Sequence, residues 1–172
     1  MWKSLHERLH REARAYAGDE DRPLAAYSGL MALYAATAGA VTAAATADRR
    51  ALPDPTPWDV ALSALATHQL ARLLAKDPVT SPLRAPFTRF EGTSGPAELE
   101  EEVRGTGGRK AIGELLTCPF CIGLWAATGL TAGAVFAPRA TRLAAATLAA
   151  LAGADFLQFA RAAAQHAAEQ TS

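Results

Sequence analysis

Along this chain, apolar stretches alternate with charged ones, and the length of each apolar stretch is the informative quantity. Residues 1–22 form a charged, amphipathic opening segment. Leu5, Leu9 and Ala13 recur at every fourth position, with Glu7, Arg8, Arg11, Glu12 and Arg14 on the other faces. Gly18-Asp19-Glu20-Asp21 closes that segment, and Pro23 suits the first turn of a following helix, where its missing N–H costs nothing. From Pro23 to Ala47 no residue is charged. A helix needs about 20 such residues to cross a hydrocarbon core of about 30 Å, so the pattern predicts a membrane span at 23–47. The Gly, Ala, Ser and Thr in it favour close helix contact within lipid. The long polar stretch ahead of it argues against a signal peptide, although Ala45-Thr46-Ala47 resembles a cleavage site.

Asp48 to Pro57 reads as a turn, marked by Arg49, Arg50, Pro53, Pro55 and Pro57. A second, weaker span is predicted at 58–75. Its Asp59, His68, Gln69 and Arg72 must face other helices or reach the interface. The connector 76–110 is polar and interrupted by Asp77-Pro78, Ser81-Pro82 and Ala85-Pro86. One short helix is expected in it, Pro96 to Val103, with Glu98, Glu100, Glu101 and Glu102 as a solvated face. A connector of that length is either disordered or functional, and it is the expected docking segment for a protein partner. Apolar character returns for spans at 118–137 and 143–159, separated by the turn at Pro138-Arg139. A polar tail, 161–172, follows. The expected fold class is therefore all-α: a four-helix membrane domain over 23–160, preceded by the charged segment 1–22.

Charge orients these spans. The N-terminal segment, the connector side and the tail carry thirteen of the 17 Lys and Arg residues, and the two opposite loops carry four. By the positive-inside rule both termini and the connector are cytoplasmic, in a multi-pass protein of the cell membrane. Without the second span, the basic connector and the basic N-terminus would fall on opposite sides. Composition adds that alanine supplies 42 of 172 residues. Such composition also fits a soluble helical bundle, so the length of the apolar runs decides. Net charge is zero, which gives no basis for nucleic-acid binding.

The chemistry-bearing residues are few. Thr117-Cys118-Pro119-Phe120-Cys121 places Pro119 at a first helical position and both thiols near a helix N-terminus, where thiolate is favoured. Cysteines three apart share a helix face. Three readings stay open: thiol exchange or redox sensing, a metal site, and plain packing of small apolar side chains. For a metal such as zinc, Cys118 and Cys121 would need further ligands, with His68 as the third or a second copy of the chain supplying two more thiolates. A reducing cytoplasmic setting disfavours a permanent disulfide. Asp155 and Arg72 are the expected polar pair inside the membrane domain, with His68 as an alternative partner for Asp155. His6 and His10, four apart, read as surface histidines. No nucleotide-binding loop, zinc-protease or nucleophile-elbow motif is present.

Several of these residues also carry a resemblance: Ala66-Thr67-His68, Arg72, Asp77, Pro82-Leu83-Arg84-Ala85-Pro86-Phe87, Gly113-Glu114-Leu115-Leu116-Thr117-Cys118-Pro119-Phe120-Cys121 and Trp125. The stretch 57–160 resembles a bacterial family of small membrane proteins, domain of unknown function 1360, found in actinobacteria and spore-forming bacilli. That resemblance implies a membrane location and no established activity, cofactor or partner. The expected function is a non-enzymatic scaffold or partner subunit, with the lipid bilayer, a protein partner and, in a homo-oligomer, a second copy of the chain as the candidate contacts. The alternative is a cytoplasmic thiol site that binds metal or senses redox state. A transporter relaying protons through Asp155 and His68 is a weaker expectation, since no inverted repeat is visible.

Overall fold

The structure, a computed structural model, describes residues 2–50 and 52–170; the side chains of residues 2–6, 9 and 10, which include His6 and His10, lie outside that description. Seven helices and one hairpin follow in the order α1 (Trp2–Ala17), α2 (Leu24–Ala47), α3 (Pro57–Lys76), α4 (Ser81–Arg84), β1 (Thr88–Gly95), β2 (Glu98–Val103), α5 (Gly107–Thr117), α6 (Pro119–Phe136) and α7 (Pro138–Gln170). A 3-10 turn, Pro78–Thr80, joins α3 to α4.

Among the described residues three helices, α2, α6 and α7, are long and apolar enough to cross a membrane. Four were expected. The helix that falls short is α3, whose His68, Gln69 and Arg72 lower its apolarity. Yet α3 is the hub, packed against both α6 and α7, while α2 lies against α5 and α6. Local signals set its ends. The Thr56 hydroxyl accepts from the Asp59 amide, the Asp59 carboxylate accepts from Thr56, and Pro57 occupies the first turn.

The core is built from small residues. Among the described residues, eight of the nine buried apolar side chains are alanines, and Ile122 is the ninth. Large apolar side chains on the long helices point outward: Met31 is 73% exposed, Leu143 71% and Leu157 73%. Small residues inside and large ones outside invert the arrangement of a water-soluble bundle and match helices that meet closely in lipid. At the α6–α7 turn, a Cβ on Gly133 would come within 2.5 Å of the Thr141 hydroxyl, so only glycine lets the two helices approach there. At the same end, the Arg50 guanidinium lies 5.1 Å from the centre of the Phe136 ring.

The hairpin corrects two expectations. The fold is not all-α, and Pro96 to Val103 is not a helix. β1 and β2 pair antiparallel, from Thr88 opposite Val103 to Gly95 opposite Glu98, with irregularities after Phe90 and after Thr93. Pro96 and Ala97 make the turn, and Ala97 takes a left-handed φ of 57°. Glutamates disfavour strands, but alternation decides here. Leu99, Glu101 and Val103 turn inward while Glu100 and Glu102 face solvent. The connector is thus an ordered unit, and the acidic run is only partly a solvated face.

Candidate functional site

Two arginines tie the hairpin to the end of α3. Arg84, on α4, is completely buried and faces Glu101 of β2, with Nε to Oε2 at 2.5 Å. Its other donors reach the carbonyls of Leu74 at 2.8 Å and Asp77 at 3.0 Å and the Thr80 hydroxyl at 2.7 Å. The Leu74 carbonyl lies in the last turn of α3, where helix carbonyls lack an internal partner. A cation is stabilising at that end. Arg84 therefore caps α3 and anchors β2 with one planar fork. A short polar ring continues this anchorage: Arg104 donates to Ala85 O at 2.7 Å and Arg109 Nε to Pro86 O at 3.0 Å.

One turn deeper, Arg72 of α3 joins two elements at once. Its Nε donates to Glu98 Oε1 at 2.9 Å and its Nη1 to Asp155 Oδ2 of α7 at 2.8 Å. Gln69, buried on the same helix, donates to the same Asp155 oxygen at 3.0 Å. The structure thus brings Arg72 and Asp155 together, and adds Gln69 and Glu98 to them. Interhelical hydrogen bonds of this kind satisfy polar groups that apolar surroundings would leave exposed. His68 takes no part in the pair: its ring stacks against Phe156, with centroids 6.2 Å apart.

On the other side of the molecule, Glu114 of α5 receives Arg22 at 3.7 Å and the Tyr27 hydroxyl of α2. The Tyr27 phenol, with Glu20 and Glu114 near, holds the Arg22 guanidinium above its ordinary pKa. Lys110 donates to the Asp21 carbonyl, which ties the start of α5 to the approach to α2. Tyr34 then bonds Thr128 at 2.9 Å and meets Trp125 edge to face at 5.3 Å.

The cysteines sit where α5 breaks and α6 begins. Cys118 is extended, Pro119 opens α6, and Cys118 Sγ accepts from the Cys121 amide at 3.2 Å as a helix cap. Both thiols are free, Cys121 is exposed, and the two sulfurs approach to 2.6 Å. Among the described residues no group of three or more His, Cys, Asp and Glu side chains is arranged to hold a metal ion. His68 is therefore not assembled with Cys118 and Cys121 in this structure.

Sequence reasoning missed Arg84, Glu98, Glu101 and Glu114 as structural keystones. The available signals were the Gly95-Pro96 turn and the inward period of two at Leu99, Glu101 and Val103.

A family model described as a protein of unknown function, DUF1360, matches residues 62–161. Sporulation protein YjcA of Bacillus subtilis (strain 168) is 41% identical over 71 residues, which are 40% of this chain and 60% of that protein. The chain therefore spans less than two thirds of that relative's length. No solved structure matches. The matched region covers more than half of the chain and holds most of α3, α4, the hairpin, both cysteines and Asp155, so this protein belongs to the DUF1360 family.

Proposed function

We propose that the protein is a non-enzymatic scaffold or partner subunit of the cell membrane, with α2, α3, α6 and α7 crossing the bilayer. Both termini and the hairpin then lie on the cytoplasmic side. The observation that carries this reading is the docked connector. Arg84–Glu101 and Arg72–Glu98 hold β2 against the end of α3, so the helices support a rigid, charged platform. The thirteen-to-four division of basic residues supports the orientation. The inward placement of Gln69 and the pairing of Arg72 support α3 as the fourth span, since its polar groups are met within the protein. Residues 76–110 are then the surface for a protein partner. The relative's name, sporulation protein, directs the search for that partner to spore formation where the host forms spores.

The test is complementation of the deletion phenotype. Charge reversal on the outer hairpin face at Arg89, Glu100 and Glu102 should abolish complementation at normal protein abundance. Cys118→Ser with Cys121→Ser should preserve it. The opposite pair of results would overturn the scaffold reading in favour of a thiol site.

That second reading has one specific observation behind it, the 2.6 Å approach of the two sulfurs at a helix start. The pair can close into a disulfide, passing two electrons to an oxidant such as a hydroperoxide and releasing two protons. Quantitative thiol titration before and after mild peroxide treatment tests it. Two thiols lost together and restored by dithiothreitol would support sensing; two unchanged thiols would exclude it.

A further inference from the structure

Helix α1 stands apart from the bundle. The other long helices pack α2 on α5 and α6, and α3 on α6 and α7, whereas α1 has no extensive contact with any element. Its sequence is nevertheless patterned. At helical spacing Trp2, Leu5, Leu9, Ala13 and Tyr16 fall on one face, and Glu7, Arg8, Arg11 and Arg14 on the others. Tyr16, at the end of the apolar face, is 73% exposed, so the bundle does not cover it. An amphipathic helix draws most of its stability from packing its apolar face.

The link to α2 fixes where that face can find a surface. At its end Gly18 takes a φ of 57°, the left-handed conformation of a helix C-cap, and its amide donates to the Arg14 carbonyl at 3.1 Å. Residues 18–23 then lead into α2. Fully extended they would reach about 20 Å. Turns shorten that reach, with Glu20 N donating to Ala17 O at 3.1 Å and Leu24 N to Arg22 O at 2.8 Å. The link is also pinned from α5. Lys110 lies 3.9 Å from the Asp21 carboxylate, and Glu114 lies 3.7 Å from the Arg22 guanidinium. With α2 as a span, α1 is kept beside the plane where α2 enters the bilayer.

We propose that α1 lies in the membrane interface, with the face of Leu9 and Tyr16 in lipid and the charged faces in water. The proposal rests on the membrane reading given above. The pattern is that of an in-plane helix: a sharp division of faces, low overall apolarity, and aromatic residues at both ends of the apolar stripe. Net charge does not select the occupant, since residues 1–22 carry five basic and five acidic side chains. Burial of the apolar face drives the contact, so a zwitterionic bilayer suffices. A second copy or a partner protein would have to be recruited to this face, whereas the pinned link brings the bilayer surface to it in every copy.

The experiment is site-directed spin labelling of the full chain, reconstituted in phosphatidylcholine vesicles. Glu7→Cys, Leu9→Cys, Arg11→Cys and Ala13→Cys are made singly after Cys118→Ser and Cys121→Ser. Nitroxide collisions are read with oxygen, which concentrates in lipid, and with a water-soluble nickel chelate. Leu9→Cys and Ala13→Cys should collide several-fold more with oxygen than with nickel, as labels about 5–10 Å deep do, and Glu7→Cys and Arg11→Cys should show the reverse. Nickel access at all four positions would overturn the proposal, whether α1 is folded in water or unfolded. Low access to both reagents at Leu9→Cys and Ala13→Cys would also overturn it, because that is the signature of cover by protein. Met31→Cys, on the outward side of α2, separates the two levels. Nickel access at Met31→Cys overturns the membrane reading, whereas oxygen access there with nickel access along α1 overturns only the in-plane helix.

Discussion

Arg84 shows how much one side chain decides in this molecule. It is fully buried, and its partner Glu101 is 6% exposed, so removing either leaves an uncompensated charge. Arg84→Ala should cost about 3–5 kcal/mol, the range for breaking a buried pair from one side. Lysine will not replace it, because a point ammonium cannot reach Glu101, Leu74, Asp77 and Thr80 together. Limited trypsin digestion reads this directly: the wild-type hairpin should resist, and Arg84→Ala should be cut at Arg89 and Arg104. Equal resistance of the two proteins would contradict the anchoring role. Ala97 offers a smaller test, since its φ of 57° suits glycine better than any residue with a Cβ. Ala97→Gly should stabilise the fold by about 0.5 kcal/mol after the entropy cost of glycine is subtracted, and so raise the melting temperature slightly. Ala97→Val should lower it, because a branched side chain is a genuine outlier at that φ. Melting in a fixed detergent, followed by circular dichroism, separates the three.

At the scale of elements, what could be read from the chain depended on whether the signal was local. The long apolar helices were legible because uninterrupted apolar length is a property of neighbouring residues: α2, α6 and α7 are all present. The Arg72–Asp155 contact was foreseeable from cost alone, since two ionisable groups in apolar segments need partners, although 83 positions separate them. The hairpin was not legible. Its inward strand position, Glu101, is charged, and its partner Arg84 stands 17 positions earlier, so the alternation looked like a solvated acidic face. His68 was grouped with the thiols because of its residue type, whereas the packing of α3 on α7 turns its ring to Phe156. Gly113 marks the remaining contact, where α5 meets the hairpin. An added Cβ would lie 2.6 Å from Val103 Cγ1 and 3.2 Å from the Phe87 carbonyl, and backbone cannot give way as a side chain can. Gly113→Ala should therefore destabilise by about 1–3 kcal/mol, as overpacking does. An unchanged melting temperature would show that α5 can shift without cost.

For the whole molecule, the pieces combine into a helical bundle with a folded hairpin docked on one end. Buried alanines let α3, α6 and α7 meet closely, while Met and Leu side chains point outward, an arrangement compatible with lipid contact. The polar groups of α3 are answered inside: Gln69 and Arg72 by Asp155, Arg72 again by Glu98. A helix that fails on hydropathy can still span when its neighbours satisfy it. Alkaline carbonate should accordingly leave the protein in the membrane pellet, and release would favour a soluble bundle.

In the proposed topology α3 crosses the membrane, so the hairpin and the N-terminus share the cytoplasmic side. Single cysteines at Ser94 and Asp54, introduced after Cys118→Ser and Cys121→Ser, test it with a membrane-impermeant maleimide on intact cells. With α3 spanning, Asp54→Cys should label in intact cells and Ser94→Cys only after lysis. Labelling of Ser94→Cys in intact cells would contradict it.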